Sequence, residues 1–354
     1  MKNKRSILLS FSALSLLFSA CGDGLAPVAK DALKPTIITE QTPNDTDDPA
    51  IWIHPQDASK SLIIGTDKSK ENGGLYAFDM NGKIVNKVTP LDRPNNVDVA
   101  YGIDIEGTPT DIAVVTERNK NQIRIYSLPE LQPVDGGGIA VFEGETQNEP
   151  MGIALYTDPD TQCIYAIVGR KEGPSGSYLW QYELYGEDGT VKARKVREFG
   201  SYSGKKEIEA IAVDNELGYV YYSDETVGVK KYYANPDKGN EELALFGTEG
   251  FKRDHEGIAI YKTSDTQGYI LVSNQQQNSF MVYPREGTAT NPNEYPLLVE
   301  IPVSTVECDG ADATSVAINA QFPKGFFVAM SNGNVFQIYD WRLLEDKIRA
   351  AQQP

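Results

Sequence analysis

Histidine is almost missing from this 354-residue chain, which has only His54 and His255. Two imidazoles cannot furnish a His-rich dimetal centre. Cysteine is nearly as scarce: Cys21, Cys163 and Cys308 are all there is. With so little nitrogen and sulfur available, any metal site must be built from oxygen, which favours a hard cation over zinc. Basic residues are outnumbered, 33 against 50 acidic ones, for a net charge of −17. Such a field repels a phosphate backbone, so nucleic acid is not an expected partner. Apolar residues seldom recur at helical spacing, whereas Gly, Pro and Tyr are frequent, which moves the expectation to an all-β chain. The apolar run from Ile7 to Phe18 is too short to span a bilayer.

That run follows Lys2, Lys4 and Arg5 and leads through Ser19 and Ala20 to Cys21, so residues 1–20 read as an export signal. A cysteine directly after small residues is the arrangement of a lipobox, which would make Cys21 the acylated N-terminus of a membrane-anchored protein in the periplasm or at the cell surface, whereas an ordinary signal peptide, with Cys21 lost or free, would give a secreted one. Removing residues 1–20 takes three positive charges and no acid, and the net charge falls from −17 to −20. Residues 21–46 lack periodicity and are expected to form a tether. Export would permit a disulfide between Cys163 and Cys308, and two buried thiols fit the sequence equally.

From residue 47 the chain repeats itself. A short strand of small and apolar residues recurs as PAIWIH, VDVAYG, MGIALY, EAIAVD, EGIAIY and TSVAIN, aligned on Ile51, Val99, Ile153, Ile211, Ile258 and Val316. Each copy continues with a second apolar run and a third, aromatic one. A period near fifty residues with several short strands per copy is that of propeller blades, and six copies predict a six-bladed β-propeller over residues 47–354. The segment from Asp340 to Ala351 has helical periodicity and is expected to cap the last blade.

In an antiparallel blade the start of the first strand and the end of the second share one edge. First-strand starts carry Asp47 and Asp48, Asn95 and Asn96, Glu149, Glu207 and Glu209, Asp254 and Glu256, and Asp312. Second-strand ends carry Lys68, Arg118, Lys171 with Glu172, Asp224 with Glu225, Asn274 with Gln275, and Ser331 with Asn332. Converging carboxylates repel unless a cation neutralises them, and oxygen-only ligands favour calcium. His54 is expected to serve a turn, and His255 to pack beside the presumed ligands.

Taken in order, DDPAIW (Asp47–Trp52), NNVD (Asn95–Asp98), GRKEG (Gly169–Gly173), IEAIAVD (Ile208–Asp214), SDE (Ser223–Glu225), DHEG (Asp254–Gly257) and DGAD (Asp309–Asp312) resemble the β-propeller phytases. These are alkaline, calcium-dependent phosphomonoesterases of bacteria. The resemblance runs from Asp47 to about Trp341. It implies that Glu209, Glu225 and Glu256 hold several calcium ions, with Asp48 and Asp309 as further ligands and Asp254 and Asp312 completing the candidate metal set. It also implies that Lys68, Arg118 and Lys171 grip substrate phosphates with Glu172 beside them. Met151 stands where the family commonly has a Tyr ligand, and thioether sulfur suits calcium poorly.

The expected chemistry is hydrolysis of phytate, taken up by a monomer as a calcium complex, by metal-activated water, with the cations stabilising phosphoryl oxygens. Neither a phosphohistidine site nor a Cys-x5-Arg phosphatase loop can be assembled, since Cys163 precedes Arg170 by seven residues. A lipid-anchored binding propeller and a calcium-dependent propeller lactonase are the competing expectations. The three cations separate them, because a lactone needs none of Lys68, Arg118 and Lys171.

Overall fold

The computed structural model describes residues 25–353. The expected signal and Cys21 lie outside them. Six four-stranded antiparallel sheets stand in a ring; five have their strands in sequence order from the axis outward, and the sixth takes its outer strand from near the N-terminus. Blade 1 comprises Thr46–Trp52, Leu62–Asp67, Gly73–Phe78 and Ile84–Leu91, and blade 2 Pro94–Ile105, Thr108–Glu117, Gln122–Ser127 and Ile139–Ala140. Blade 3 comprises Pro150–Thr157, Ile164–Arg170, Leu179–Glu187 and Thr190–Phe199, and blade 4 Ile211–Asp214, Tyr219–Asp224, Gly228–Tyr233 and Ala244–Phe246. Blade 5 is His255–Lys262, Gly268–Asn274, Ser279–Pro284 and Val299–Pro302, and blade 6 begins Ala311–Thr314, Phe326–Ser331 and Val335–Asp340.

Alternation along each middle strand builds the core between blades rather than within one. Ile64 faces blade 2 and packs with Val97, Ala113 and Val115, while its neighbour Ile63 faces blade 6 and packs with Phe336 and Ile338. Similar apolar layers fill the spaces between blades 2 and 3, 3 and 4, and 4 and 5. Near the axis there is little room. A Cβ on Gly152 would lie 1.8 Å from the Glu209 carbonyl oxygen, and one on Gly310 would lie 2.3 Å from Asp48 Oδ1.

Two expectations need correcting. The sixth innermost strand is Ala311–Thr314, not the TSVAIN segment: the apolar pattern around Val316 belongs to an irregular connection, and Val316 is 41% exposed. The stretch expected as a tether enters the fold as well. Ile37–Ile38 pairs antiparallel with Ile338 and Gln337 as the outer strand of blade 6, so the N-terminal segment closes the ring. That pairing covers an edge that would otherwise be open to another chain. The helix Trp341–Gln352 follows directly, starts on the Asp340 side chain as N-cap, and buries Trp341, Leu344 and Ile348 against blades 5 and 6.

Candidate functional site

A single hydrogen bond, repeated around the ring, defines the upper face. In every blade the residue just beyond the second strand donates its amide to a carbonyl on the approach to the first strand. The six pairs are Lys68 to Asp45, Arg118 to Arg93, Lys171 to Glu149, Glu225 to Glu207, Gln275 to Asp254 and Asn332 to Val306. These six side chains therefore occupy equivalent positions. Three consecutive blades present cations, and the next three present a carboxylate and two amides.

The first strands reach the same face through register breaks. Pairing skips between Thr46 and Pro49, Pro94 and Val97, Pro150 and Ile153, and His255 and Ile258. The skipped residues include Asp47, Asp48, Asn95, Asn96 and Glu256. A bulge releases a residue from the ladder and re-aims its side chain, which is how blades 1, 2 and 5 turn polar groups towards one axis; in blade 3 the skipped residues are Met151 and Gly152.

At the centre, the Asn95 amide of blade 2 donates to Asp47 Oδ2 of blade 1 at 3.0 Å and to Glu209 Oε1 of blade 4, tying three blades together. Lys68 Nζ lies 2.6 Å from both Asp47 Oδ1 and Asp309 Oδ2. Burial pulls the Lys68 ammonium down, but the charges of Asp47, Asp309 and Glu209 outweigh it and raise its pKa. Arg118 is buried and paired with Glu149 Oε2 at 3.2 Å, and Lys171 contacts Glu207.

Blades 4 and 5 hold the acids. Glu207, Glu209 and Glu225 form one group, and Glu225, Asp254 and Glu256 another, each with ligand oxygens within 4.8 Å of one another. Glu225 is fully buried, and among the described residues neither of its oxygens is in hydrogen-bonding geometry with any group; Glu256 Oε2 is likewise buried and bare. Lys206 Nζ approaches Glu225 Oε2 to 2.5 Å without that geometry. Burial pushes the Glu225 carboxyl up to about 8 despite this contact, and burial with the adjacent Glu225 and Glu209 charges holds Glu256 well above its ordinary value. Bare buried carboxylate oxygens in an all-oxygen cluster are what a hard divalent cation would complete, so these residues fit calcium.

The remaining sequence-predicted residues fall elsewhere. Asp48 Oδ2 accepts the Val97 amide at 3.1 Å, and Asp312 Oδ2 accepts the Ile51 amide at 2.8 Å, so both join neighbouring first strands along the channel. Asp309 sits with Lys68 and Gln275 rather than with Glu225. Glu172 is exposed and touches Gln147 on the wall of a groove of about 560 Å³ between blades 3 and 4. Met151 is buried. His54 Nδ1 accepts the amides of Gln56 and Asp57 in a turn, and His255 donates to the Gly247 carbonyl and stacks on Phe251. Among the described residues, Cys163 and Cys308 are unpaired. Lys206 was not singled out by sequence; its only signal is the Lys205-Lys206 pair immediately before Glu207.

The chain matches the family described as Phytase over residues 5–340. The chain belongs to the phytase family. It is 30% identical over 375 residues to the 3-phytase of Bacillus subtilis (strain 168), a match covering 96% of this chain and 93% of that protein. A solved structure, BBS1N in complex with ARL6DN soaked with lead, aligns with a TM-score of 0.46 at 12% identity, covering 78% of this chain and 73% of that one, and adds nothing to the assignment. As a member of that family, the chain is a phosphoric monoester hydrolase of the 3-phytase type.

Proposed function

We propose that the upper face hydrolyses phosphate monoesters of phytate in a calcium-dependent reaction. The observation that carries this reading is the pairing of a cationic arc with bare buried carboxylates: Lys68, Arg118 and Lys171 on blades 1 to 3 face Glu225 and Glu256 on blades 4 and 5. Glu207, Glu209, Glu225, Asp254 and Glu256 would hold calcium. When bound, calcium offsets the charge between an acidic protein and a polyphosphate and makes water a better nucleophile at neutral to alkaline pH.

The chain's own cations do the rest. Each is paired with an acid, so an incoming phosphoryl group exchanges places with Asp47, Asp309, Glu149 or Glu207. Arg118, buried and forked, fixes the orientation of two phosphoryl oxygens; Lys68 and Lys171 supply point charges to further oxygens. In the reaction a water oxygen forms a bond to phosphorus, the ester P–O bond breaks, and a water proton ends on the released inositol hydroxyl. A positive arc stabilises the charge that builds on the phosphoryl oxygens as this occurs. Export and a lipid anchor at Cys21 belong to the same reading and rest on the sequence of residues 1–21.

The test is release of inorganic phosphate from phytate by the purified mature protein, with added calcium and with excess chelator. Phosphate released with calcium and lost with chelator is the expected result. Equal release under both conditions removes the metal from the reading, and none under either removes the substrate.

A further inference from the structure

Lys206 belongs to none of the six equivalent positions, yet it meets three carboxylates of the acid cluster. It lies on the irregular connection between blades 3 and 4, just ahead of Ile211–Asp214. Its ammonium stands 2.5 Å from Glu225 Oε2, 2.9 Å from Asp254 Oδ2 and 3.9 Å from Glu256 Oε1. Those are the three carboxylates of one candidate cation cage. Two of them carry the bare oxygens, so the charge of the lysine is present where its hydrogen-bonding is incomplete. An ammonium is a compact point charge with three donors on a flexible stem. It offers the cage half the charge of a divalent ion and fewer contacts than such an ion would make.

The side chain is also free to leave. It is 41% exposed, whereas Glu225 is fully buried and Glu256 nearly so. It borders the groove that also contains Lys171, Lys205 and Glu207. Moving the ammonium from the cage into that groove is a change of rotamer and leaves the blades as they are. The acids cannot move in the same way, because Glu225 and Glu256 are anchored at the ends of strands.

We propose that Lys206 is a built-in counter-cation for the Glu225–Asp254–Glu256 cage: it neutralises the metal-free carboxylates, must withdraw when calcium binds there, and thereby sets the affinity for that ion. This rests on the calcium reading given above. Lys206 is a positioning residue, with no bond to substrate required of it.

The experiment is calorimetric titration of chelator-treated protein with calcium, at constant pH and ionic strength, for the wild type, K206M, K206Q and E225Q. K206M keeps the length of the stem and removes its charge, and K206Q provides a polar variant should K206M fail to fold. Loss of the competing charge is expected to tighten one calcium site by about tenfold in either variant. The metal-free variants should melt about 2–4 °C below the wild type, with the difference vanishing at saturating calcium. If the wild type binds calcium, E225Q loses an ion, and the Lys206 variants match the wild type in affinity, the counter-cation role is overturned and the calcium reading stands. Absence of calcium binding in every protein would overturn both.

Discussion

Two sets of acids line the axis of this propeller, and their surroundings differ. Along the channel, Asp98 accepts the Val99 amide at Oδ1 and the Leu155 amide at Oδ2, both at 2.7 Å, linking blade 2 to blade 3. Asp312 does the same between blades 6 and 1 with Ala313 and Ile51, at 2.7 and 2.8 Å. On the upper face, among the described residues, Glu225 accepts no backbone amide and meets only the Lys206 ammonium at Oε2, and Glu256 Oε2 has no hydrogen-bond partner. Burial raises all four carboxyls, to about 7 for Asp98 and about 6 for Asp312 despite their amide donors. A raised pKa therefore does not distinguish a ligand from a staple. The number of unsatisfied oxygens separates the two sets, because each oxygen of Asp98 and Asp312 already accepts a backbone amide.

The largest effect should come from the bare set. E225Q conserves shape and removes a charge from both candidate cages, so phosphate release should fall by about 10²–10³-fold with an unchanged far-ultraviolet circular dichroism spectrum. Activity within about threefold of wild type would take Glu225 out of the site.

The staples should respond in the opposite sense. D98N turns one accepting oxygen into a donor facing a backbone amide, which removes one hydrogen bond and sets two N–H groups against each other. A loss of about 1–3 kcal/mol in denaturant unfolding is expected, with calcium stoichiometry unchanged. If D98N lost an ion and kept its stability, the division between staples and ligands would fail.

How far these roles could be read from sequence depends on periodicity. The blades were legible because each middle strand buries both faces and so repeats as an apolar run about every fifty residues. The closing strand was not: Ile37–Ile38 is two residues long within a polar stretch, and only its partner at Ile338 makes it a strand. TSVAIN misled because it begins at Thr314, the last residue of the true strand, and carries the apolar pattern on past its end. Within the site, sequence narrowed each blade to a pair of residues and could not choose between them. Asp47 faces Lys68 while Asp48 staples Val97; Glu225 faces the cage while Asp224 turns away to Ser203 and Lys230. Successive strand residues point to opposite sides, and a one-residue bulge reverses which is which. The bulge is set by contacts with the next blade, so it leaves no local signature.

Glu172 offers the smallest and most discriminating test of that limit. Sequence places it beside Lys171, among the residues that meet substrate, yet the pair diverges after the second strand of blade 3. Lys171 turns to Glu207, whereas Glu172 is exposed and accepts a hydrogen bond from the Gln147 side-chain amide at 3.2 Å. A solvated carboxylate on a groove wall neither completes a cage nor holds a strand, and its charge opposes a polyanionic substrate. E172Q should therefore change kcat/KM for phytate by less than about threefold, towards faster turnover, because only a screened repulsion is removed. A loss of tenfold or more would mean that the groove between blades 3 and 4 closes around the substrate and that Glu172 works with Lys171 after all.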